Sequence, residues 1–146
     1  MNDPGHWPYG SLVLRVALGL FLFLWGLDKL IATEDTIKIF SHFYKLGIGS
    51  TVAVIVGLAE MVLAISIALG YKRSLSYLTG LVIHALSTLS SWQQLIDPWG
   101  KIWGSGKNSH LFLASIPVLA AFIVLYMNRH DDRWTLDSRC KKTHQN

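Results

Sequence analysis

Four apolar stretches, each about as long as one membrane crossing, constrain this chain more than any other feature. They cover about residues 11–31, 50–70, 75–95 and 109–127, and a helix needs about 20 apolar residues to cross the hydrocarbon core of a bilayer. Backbone amides cannot stay unpaired in lipid, and none of the stretches shows the alternation of a barrel strand. The sequence therefore predicts an all-α membrane protein: one domain over residues 1–146, folded as a bundle of four transmembrane helices.

Composition agrees with a lipid environment and excludes several classes of function. Hydrophobic residues make up 51% of the chain and charged residues only 15%. The basic residues lie at the ends of the predicted spans and not among aromatic residues, so we expect no nucleic acid partner. Cys140 is the one cysteine, which leaves no thiol pair for redox chemistry. No phosphate loop, nucleophile elbow or HxxxH spacing occurs, so we expect no metal and no cofactor encoded by a motif.

The distribution of basic residues predicts the topology. Four spans place both termini on one side of the membrane, together with the turn at residues 71–74. The basic residues on that side are Arg15, Lys72, Arg73, Arg129, Arg133, Arg139, Lys141 and Lys142, and those on the other side are Lys29, Lys38, Lys45, Lys101 and Lys107. Because basic residues are retained on the cytoplasmic side, we expect both termini in the cytoplasm. The polar segment at residues 129–146 is then a cytoplasmic tail, which we expect to be poorly ordered.

Two connections on the opposite side carry aromatic residues. Between the first and second spans, Thr33 can cap a short helix whose apolar face holds Ile37, Phe40 and Phe43, which predicts a helix lying in the outer interface. Between the third and fourth spans, residues 97–108 (DPWGKIWGSGKN) form a glycine-rich loop with tryptophans suited to the headgroup layer. Asp97 and His110 flank this loop. They either bind substrate at the mouth of a site or organise the ends of helices.

Glu60 is the least expected residue of the second span. It falls on a face of small residues, which are Ala53, Gly57, Ala64 and Ala68, so it points into the bundle. An ionised carboxylate about 15 Å deep costs several kcal/mol unless it is paired or protonated. We interpret Glu60 as a catalytic candidate that handles a proton; the alternative is a neutral side chain that only joins helices.

His84 lies at a similar depth on the third span, on a face with Ser87, Thr88 and Ser91. If this face meets that of Glu60, the two side chains can exchange a proton with a carrier, and the hydroxyl groups supply a path outward. His84 is therefore the second catalytic candidate. The alternative is a histidine that only bonds to a neighbouring helix.

Helix one offers two cations. Arg15, Gly19, Gly26 and Lys29 share one stripe, while Asp28 points away from it. The glycines let a neighbouring helix approach closely, and the cations lie near opposite ends, where they can reach water. Arg15 and Lys29 are candidate substrate-binding residues, with packing and anchoring as the alternative.

Three segments resemble the DoxX/DoxD-like family of membrane proteins. Residues 14–30 (LRVALGLFLFLWGLDKL) carry an Arg and a Gly followed by Gly-x-x-Lys, residues 57–70 (GLAEMVLAISIALG) carry the inward Glu60, and residues 108–113 open the last span. The positions that match the family pattern are Arg15, Gly19, Gly26, Lys29 and Glu60. The resemblance implies a four-helix inner-membrane protein, and some members are subunits linked to thiosulfate:quinone oxidoreduction.

The resemblance and the polar residues together lead to three hypotheses. The first is a redox-associated subunit of a quinone-linked oxidoreductase, which acts with quinone or a small anionic, sulfur-type substrate. The second is a non-enzymatic assembly or partner subunit of a larger membrane complex. The third is a small proton-coupled transporter. Expected partners are membrane lipid, a membrane or redox protein, and further copies of the chain in an oligomer.

Overall fold

The computed structural model describes residues 7–104, 106, 108–132 and 134–138, and these residues are helical with no strand. The helices are α1 (Trp7–Ile31), α2 (Thr33–Ile39), a π-helix (Phe40–Tyr44), α3 (Ser50–Leu69), α4 (Arg73–Ser90), α5 (Trp92–Ile96), a 3₁₀-helix (His110–Ala114) and α6 (Ser115–Met127). The prediction of an all-α protein is confirmed. The third predicted span is divided at Ser91, where α4 ends and the short α5 begins.

Within the described part of the chain, three helical segments are long and apolar enough to cross a membrane. They are Tyr9–Ile31, Ser50–Leu69 and His110–Met127. Helix α4 has 18 residues but is less apolar, because it contains Arg73, His84 and several hydroxyl side chains. Composition thus assigns three of the four long helices to the membrane. Helix α4 packs in the same bundle, but its composition alone does not assign it to the membrane.

Helices α1 and α3 run antiparallel and form the most extensive contact in the molecule. A Cβ placed on Gly26 would lie 2.8 Å from the carbonyl oxygen of Gly57, and one on Gly19 would lie 2.9 Å from the carbonyl oxygen of Ala64. The two backbones therefore touch along the stripe of small residues. In lipid the hydrophobic effect does not drive helices together, so the van der Waals packing that this close approach allows stabilises their association.

A compact apolar core joins this pair to a second antiparallel pair, α4 and α6. Its buried side chains are Leu18, Leu22, Ala64, Ile67, Tyr77, Phe122 and Leu125. Gly80 of α4 admits the ring of Phe122, since a Cβ there would lie 2.9 Å from Phe122 Cε1 and 2.8 Å from Ile67 Cδ1. The interior is thus filled where the four helices meet.

The connection between α1 and α3 is helical, but its start differs from the prediction. The N-cap position belongs to Ala32, which has no side-chain oxygen. Thr33 instead donates its hydroxyl hydrogen to the carbonyl oxygens of Lys29, at 3.0 Å, and Leu30, at 3.2 Å. The predicted cap is therefore wrong. Only Ala32 separates α1 from α2, so Thr33 stays close to the last turn of α1 and its hydroxyl group bonds there. The segment continues through the π-helix to Lys45, whose φ of 56° ends it.

The described part of the C-terminal segment is packed against the bundle. Asp132 and Thr135 are each 1% exposed, and Asp137 accepts hydrogen bonds from the backbone N–H groups of Lys72 and Arg73 at the start of α4. The prediction of poor order does not hold for these residues, because their polar groups have partners inside the fold. Residues 133 and 139–146 of the predicted tail lie outside the described residues.

Replacing Gly57 by alanine should separate α1 from α3. The added Cβ would lie 2.7 Å from the Gly26 carbonyl oxygen, a backbone atom that moves only with its helix, so we expect a loss of about 1–3 kcal/mol in the free energy of unfolding. Thermal unfolding in detergent measures it. Gly10→Ala is the matched control, because a Cβ at Gly10 meets nothing within 4 Å. Equal unfolding midpoints for the two variants would contradict the close packing.

Candidate functional site

A buried ion pair between α1 and α3 is the centre of the candidate site. The Lys29 Nζ atom lies 2.7 Å from Glu60 Oε2, and the two side chains are only 14% and 9% exposed. Glu60 is halfway along α3, and Lys29 reaches it from the last turns of α1. The contact of Gly57 with Gly26 brings the two helices close enough for the pair to form.

The aromatic side chain of Trp25 forms the rim of this pair. Lys29 Nζ donates a hydrogen bond of 3.1 Å to the carbonyl oxygen of Trp25 and lies 5.7 Å from the centroid of the Trp25 ring. The Trp25 residue is 46% exposed, so it lies at the outer surface of the bundle. The ion pair is therefore next to the surface of the bundle and not at its central axis.

The chemistry of this pair follows from its environment. Removing two charges from water costs several kcal/mol per ion, and their attraction compensates for that cost only when the contact is close. Lys29 has three N–H donors and Glu60 has two acceptor oxygens, so neither group is saturated by the other. Such a pair can bind a carbonyl or an anionic group and can exchange a proton with it.

His84 does not contact Glu60 and is held by α6. Its Nε2 atom lies 3.1 Å from the carbonyl oxygen of Ser115. Because a carbonyl only accepts hydrogen bonds, Nε2 carries the hydrogen, and in the neutral ring Nδ1 has none. The imidazole packs between the rings of Phe21, at 5.5 Å, and Phe122, at 5.6 Å between centroids.

A row of aromatic side chains on α1 connects the surroundings of His84 with those of Lys29. Phe21 contacts the ring of His84 on one side and that of Trp25, at 6.3 Å, on the other, and Trp25 in turn contacts Lys29. Phe21, Trp25 and Lys29 are spaced four residues apart, so they follow one face of α1. Glu60 and His84 therefore have separate partners, Lys29 and the carbonyl oxygen of Ser115, and the condition that their faces meet is not fulfilled.

The hydroxyl groups that follow His84 bond to their own helix. Thr88 donates to the carbonyl oxygen of His84 at 2.8 Å, and Ser91 donates to those of Ser87 and Thr88. These donors satisfy the last turns of α4. They do not form the outward path of hydroxyls that the sequence predicts.

Arg15 lies at the other end of α1 from Lys29. Its Nη1 atom is 3.3 Å from Asp132 Oδ2 in a pair that is almost fully buried, and its Nη2 atom donates to the carbonyl oxygen of Trp134. Fourteen residues separate the two cations, or about 21 Å along a helix. The structure therefore places Arg15 with the C-terminal segment and not with Lys29 and Glu60.

Asp97 lies at the start of the loop that follows α5, and His110 begins the 3₁₀-helix after that loop. The carboxylate of Asp97 accepts hydrogen bonds from the backbone N–H groups of Lys101, Ile102 and Trp103 at 2.7–3.0 Å. Burial raises the pKa of Asp97, but these N–H groups lower it more strongly, so its pKa lies below the ordinary value. The His110 ring packs edge-on against Trp99 at 5.7 Å. Asp97 thus organises the loop and not the end of a helix, while His110 packs against a loop residue; the assignment of both as substrate-binding residues stays a prediction.

Two residues of these environments were missed by reasoning from the sequence. The spacing of four residues between Trp25 and Lys29 is a usable signal for their contact. Asp132 carries no comparable signal, because it is 117 residues from Arg15 and lies in a polar stretch. In the described ranges no group of three or more His, Cys, Asp or Glu side chains could hold a metal ion.

The ion pair predicts a strongly non-additive mutant cycle. Lys29→Met and Glu60→Gln each leave one buried group without its partner, and we expect each to cost about 3 kcal/mol of unfolding free energy. The double variant removes both charges and should unfold close to the wild-type midpoint. Thermal unfolding of the four proteins in one detergent measures the coupling. Additive losses in the double variant would contradict a direct interaction.

Comparison with known proteins supports two of the three segments that carry the resemblance, residues 14–30 and 57–70, whereas residues 108–113 lie outside the match. No curated protein and no solved structure matches the chain. The DoxX family model matches residues 10–91, which is more than half of the chain and includes α1, α3 and α4. Arg15, Lys29, Glu60 and His84 all lie inside the matched region, whereas Asp97, His110 and Asp132 lie beyond it. The chain is a DoxX family membrane protein.

Proposed function

We propose that this protein is a redox-associated membrane subunit that binds quinone, or a small anionic sulfur-type substrate, at the Lys29–Glu60 pair. The observation that carries the proposal is the 2.7 Å contact between these charges beside an exposed tryptophan ring. A ligand dissolved in the lipid can reach this position without passing through the bundle. Its polar oxygen would meet an ammonium group, and its ring would meet Trp25.

The proton chemistry of a quinone suits these groups. Reduction of a quinone to a quinol consumes two electrons and two protons. Lys29 would donate a hydrogen bond to the quinone oxygen, and Glu60 would exchange a proton with it. The electrons would come from the sulfur-type substrate or from a redox group of a partner subunit. His84 would not exchange a proton with Glu60: its Nε2–H is held by the carbonyl oxygen of Ser115 and its ring packs on Phe21, so its role would be to fix α4 against α6 and α1.

The loop after α5 favours the second hypothesis, an assembly or partner subunit. Trp99, Ile102 and Trp103 are exposed there, although Asp97 holds their backbone in one conformation. Exposed aromatic residues on an ordered loop are suited to docking on another protein or to the headgroup layer. The proton-coupled transporter remains a prediction. It has less support, because the hydroxyl groups of Thr88 and Ser91 bond to their own helix and form no polar line from His84.

We further propose that α4 crosses the inner membrane as well, with both termini in the cytoplasm. Helix α4 packs antiparallel to α6 and follows α3 after the turn at residues 70–72. Its 18 residues span about 27 Å at 1.5 Å per residue. An even number of crossings returns the C-terminal segment to the side of Tyr9, in agreement with the contact between Tyr9 and Trp134 at 5.8 Å.

Purification in mild detergent followed by mass spectrometry of bound lipids tests the ligand. We expect quinone in the wild-type preparation. Lys29→Met/Glu60→Gln should lower it on the order of tenfold or more, as expected for loss of charge-assisted hydrogen bonds. The double variant is chosen because it should remain folded. Asp28→Asn is the matched control, since Asp28 neighbours Lys29 but is exposed.

The other outcomes separate the hypotheses. A wild-type preparation without quinone, in which the double variant behaves the same, would overturn the redox proposal. Recovery of the protein only with a stoichiometric protein partner would favour the assembly subunit. Equal loss of quinone in Asp28→Asn would remove the assignment to the Lys29–Glu60 pair.

Cysteine labelling in intact cells tests the topology. Cys140 should react with a membrane-impermeant maleimide only after the membrane is permeabilised. A Cys140→Ser/Ser41→Cys variant, with its new thiol in the exposed π-helix, should react in intact cells. Opposite labelling of the two positions requires an odd number of crossings between residues 41 and 140, which means that α3, α4 and α6 all cross. The same labelling of both would show that α4 does not cross.

A further inference from the structure

Three hydrogen-bond donors from two helices converge on the carboxylate of Asp132. Ser11 donates to Oδ1 at 3.0 Å, and Tyr77 donates to Oδ2 at 2.7 Å. Arg15 Nη1 lies 3.3 Å from Oδ2. All four side chains are buried. The carboxylate thus has a cation on one edge and neutral hydroxyl donors on both oxygens.

The donors are positioned without help from the residue that they bind. Ser11 and Arg15 are four residues apart on one face of α1, and Tyr77 is fixed in the apolar core on α4. Gly70, with φ of 66°, leaves the space that Arg15 needs, since a Cβ there would lie 2.7 Å from Nη1. The three donors belong to the region that matches the DoxX family, whereas Asp132 lies beyond it.

The C-terminal segment that carries Asp132 is held in place by further hydrogen bonds to Arg73 and to the start of α4. Arg73 Nη1 donates to the carbonyl oxygen of Asp132 at 2.6 Å, and Asp137 binds the N–H groups at the start of α4. These contacts hold the segment across the end of the bundle. These hydrogen bonds join the C-terminal segment to α4. The charge of Arg15 is balanced separately, by the carboxylate of Asp132.

We propose that Ser11, Arg15 and Tyr77 form a binding site for a small carboxylate, and that Asp132 is its tethered occupant. A guanidinium group buried without a counterion is costly, so the three donors should bind an external carboxylate when the tethered one is absent. A tethered ligand acts at an effective concentration on the order of millimolar or higher, which explains why the site is closed in the intact chain.

Chemical rescue of Asp132→Ala tests this site. The substitution removes the carboxyl group and keeps Cβ, so formate has the shape of the missing group. We expect the thermal unfolding midpoint in detergent to fall by about 5 °C or more. Sodium formate at tens of millimolar should restore about half of the loss in a saturable manner. Sodium chloride at the same ionic strength and neutral formamide should not.

Two variants serve as controls. Asp132→Asn fills the space with a neutral side chain and should gain no more from formate than from chloride. Arg15→Met/Asp132→Ala lacks the cation and should also show no specific gain. If Asp132→Ala folds only in buffers that contain formate, the proposal is supported. Equal effects of formate and chloride on Asp132→Ala, or failure to fold in both salts, would overturn it.

Discussion

The backbone contact between α1 and α3 is the constraint on which the rest of the structure depends. Lipid is as apolar as a leucine side chain, so the helices gain little from burying apolar surface and must associate by close packing. Gly19, Gly26 and Gly57 allow that packing. The same approach brings Lys29 within reach of Glu60 at mid-depth of α3. A wider spacing of the helices would leave two charges in the membrane without partners, at a cost that the fold could not compensate.

Two buried ion pairs at opposite ends of α1 differ in what surrounds them. Lys29 and Glu60 lie beside the exposed ring of Trp25, next to the lipid-facing surface. Arg15 and Asp132 are enclosed by Ser11, Tyr77 and the C-terminal segment. The first pair is the ligand site that we propose, and the second holds a carboxylate of the chain itself. A single helix therefore carries two buried ion pairs in different surroundings, about 21 Å apart along its axis.

The sequence predicted the polar residues of the candidate site better than it predicted their partners. Glu60 was placed inside the bundle because small residues share its face, and the structure has it buried at that face. A pair with His84 was conditional on their faces meeting, but Glu60 pairs with Lys29 and His84 bonds to the carbonyl oxygen of Ser115. Periodicity gives the direction of a side chain from its own helix. It does not give the rotation of one helix relative to another, and that rotation decides which side chains come into contact.

The sequence by itself determined the helical class, the apolar segments and the small-residue stripe. In lipid each segment must pair its own backbone polar groups, so these features depend on the local sequence alone. Family membership also follows from local patterns over residues 10–91. Only the tertiary structure decided that Lys29 pairs with Glu60, that Asp97 binds its own loop and that Asp132 returns to Arg15 across 117 residues. These pairings depend on how separate helices are oriented in space. A buried charge binds whichever group that packing brings within reach, however distant in sequence.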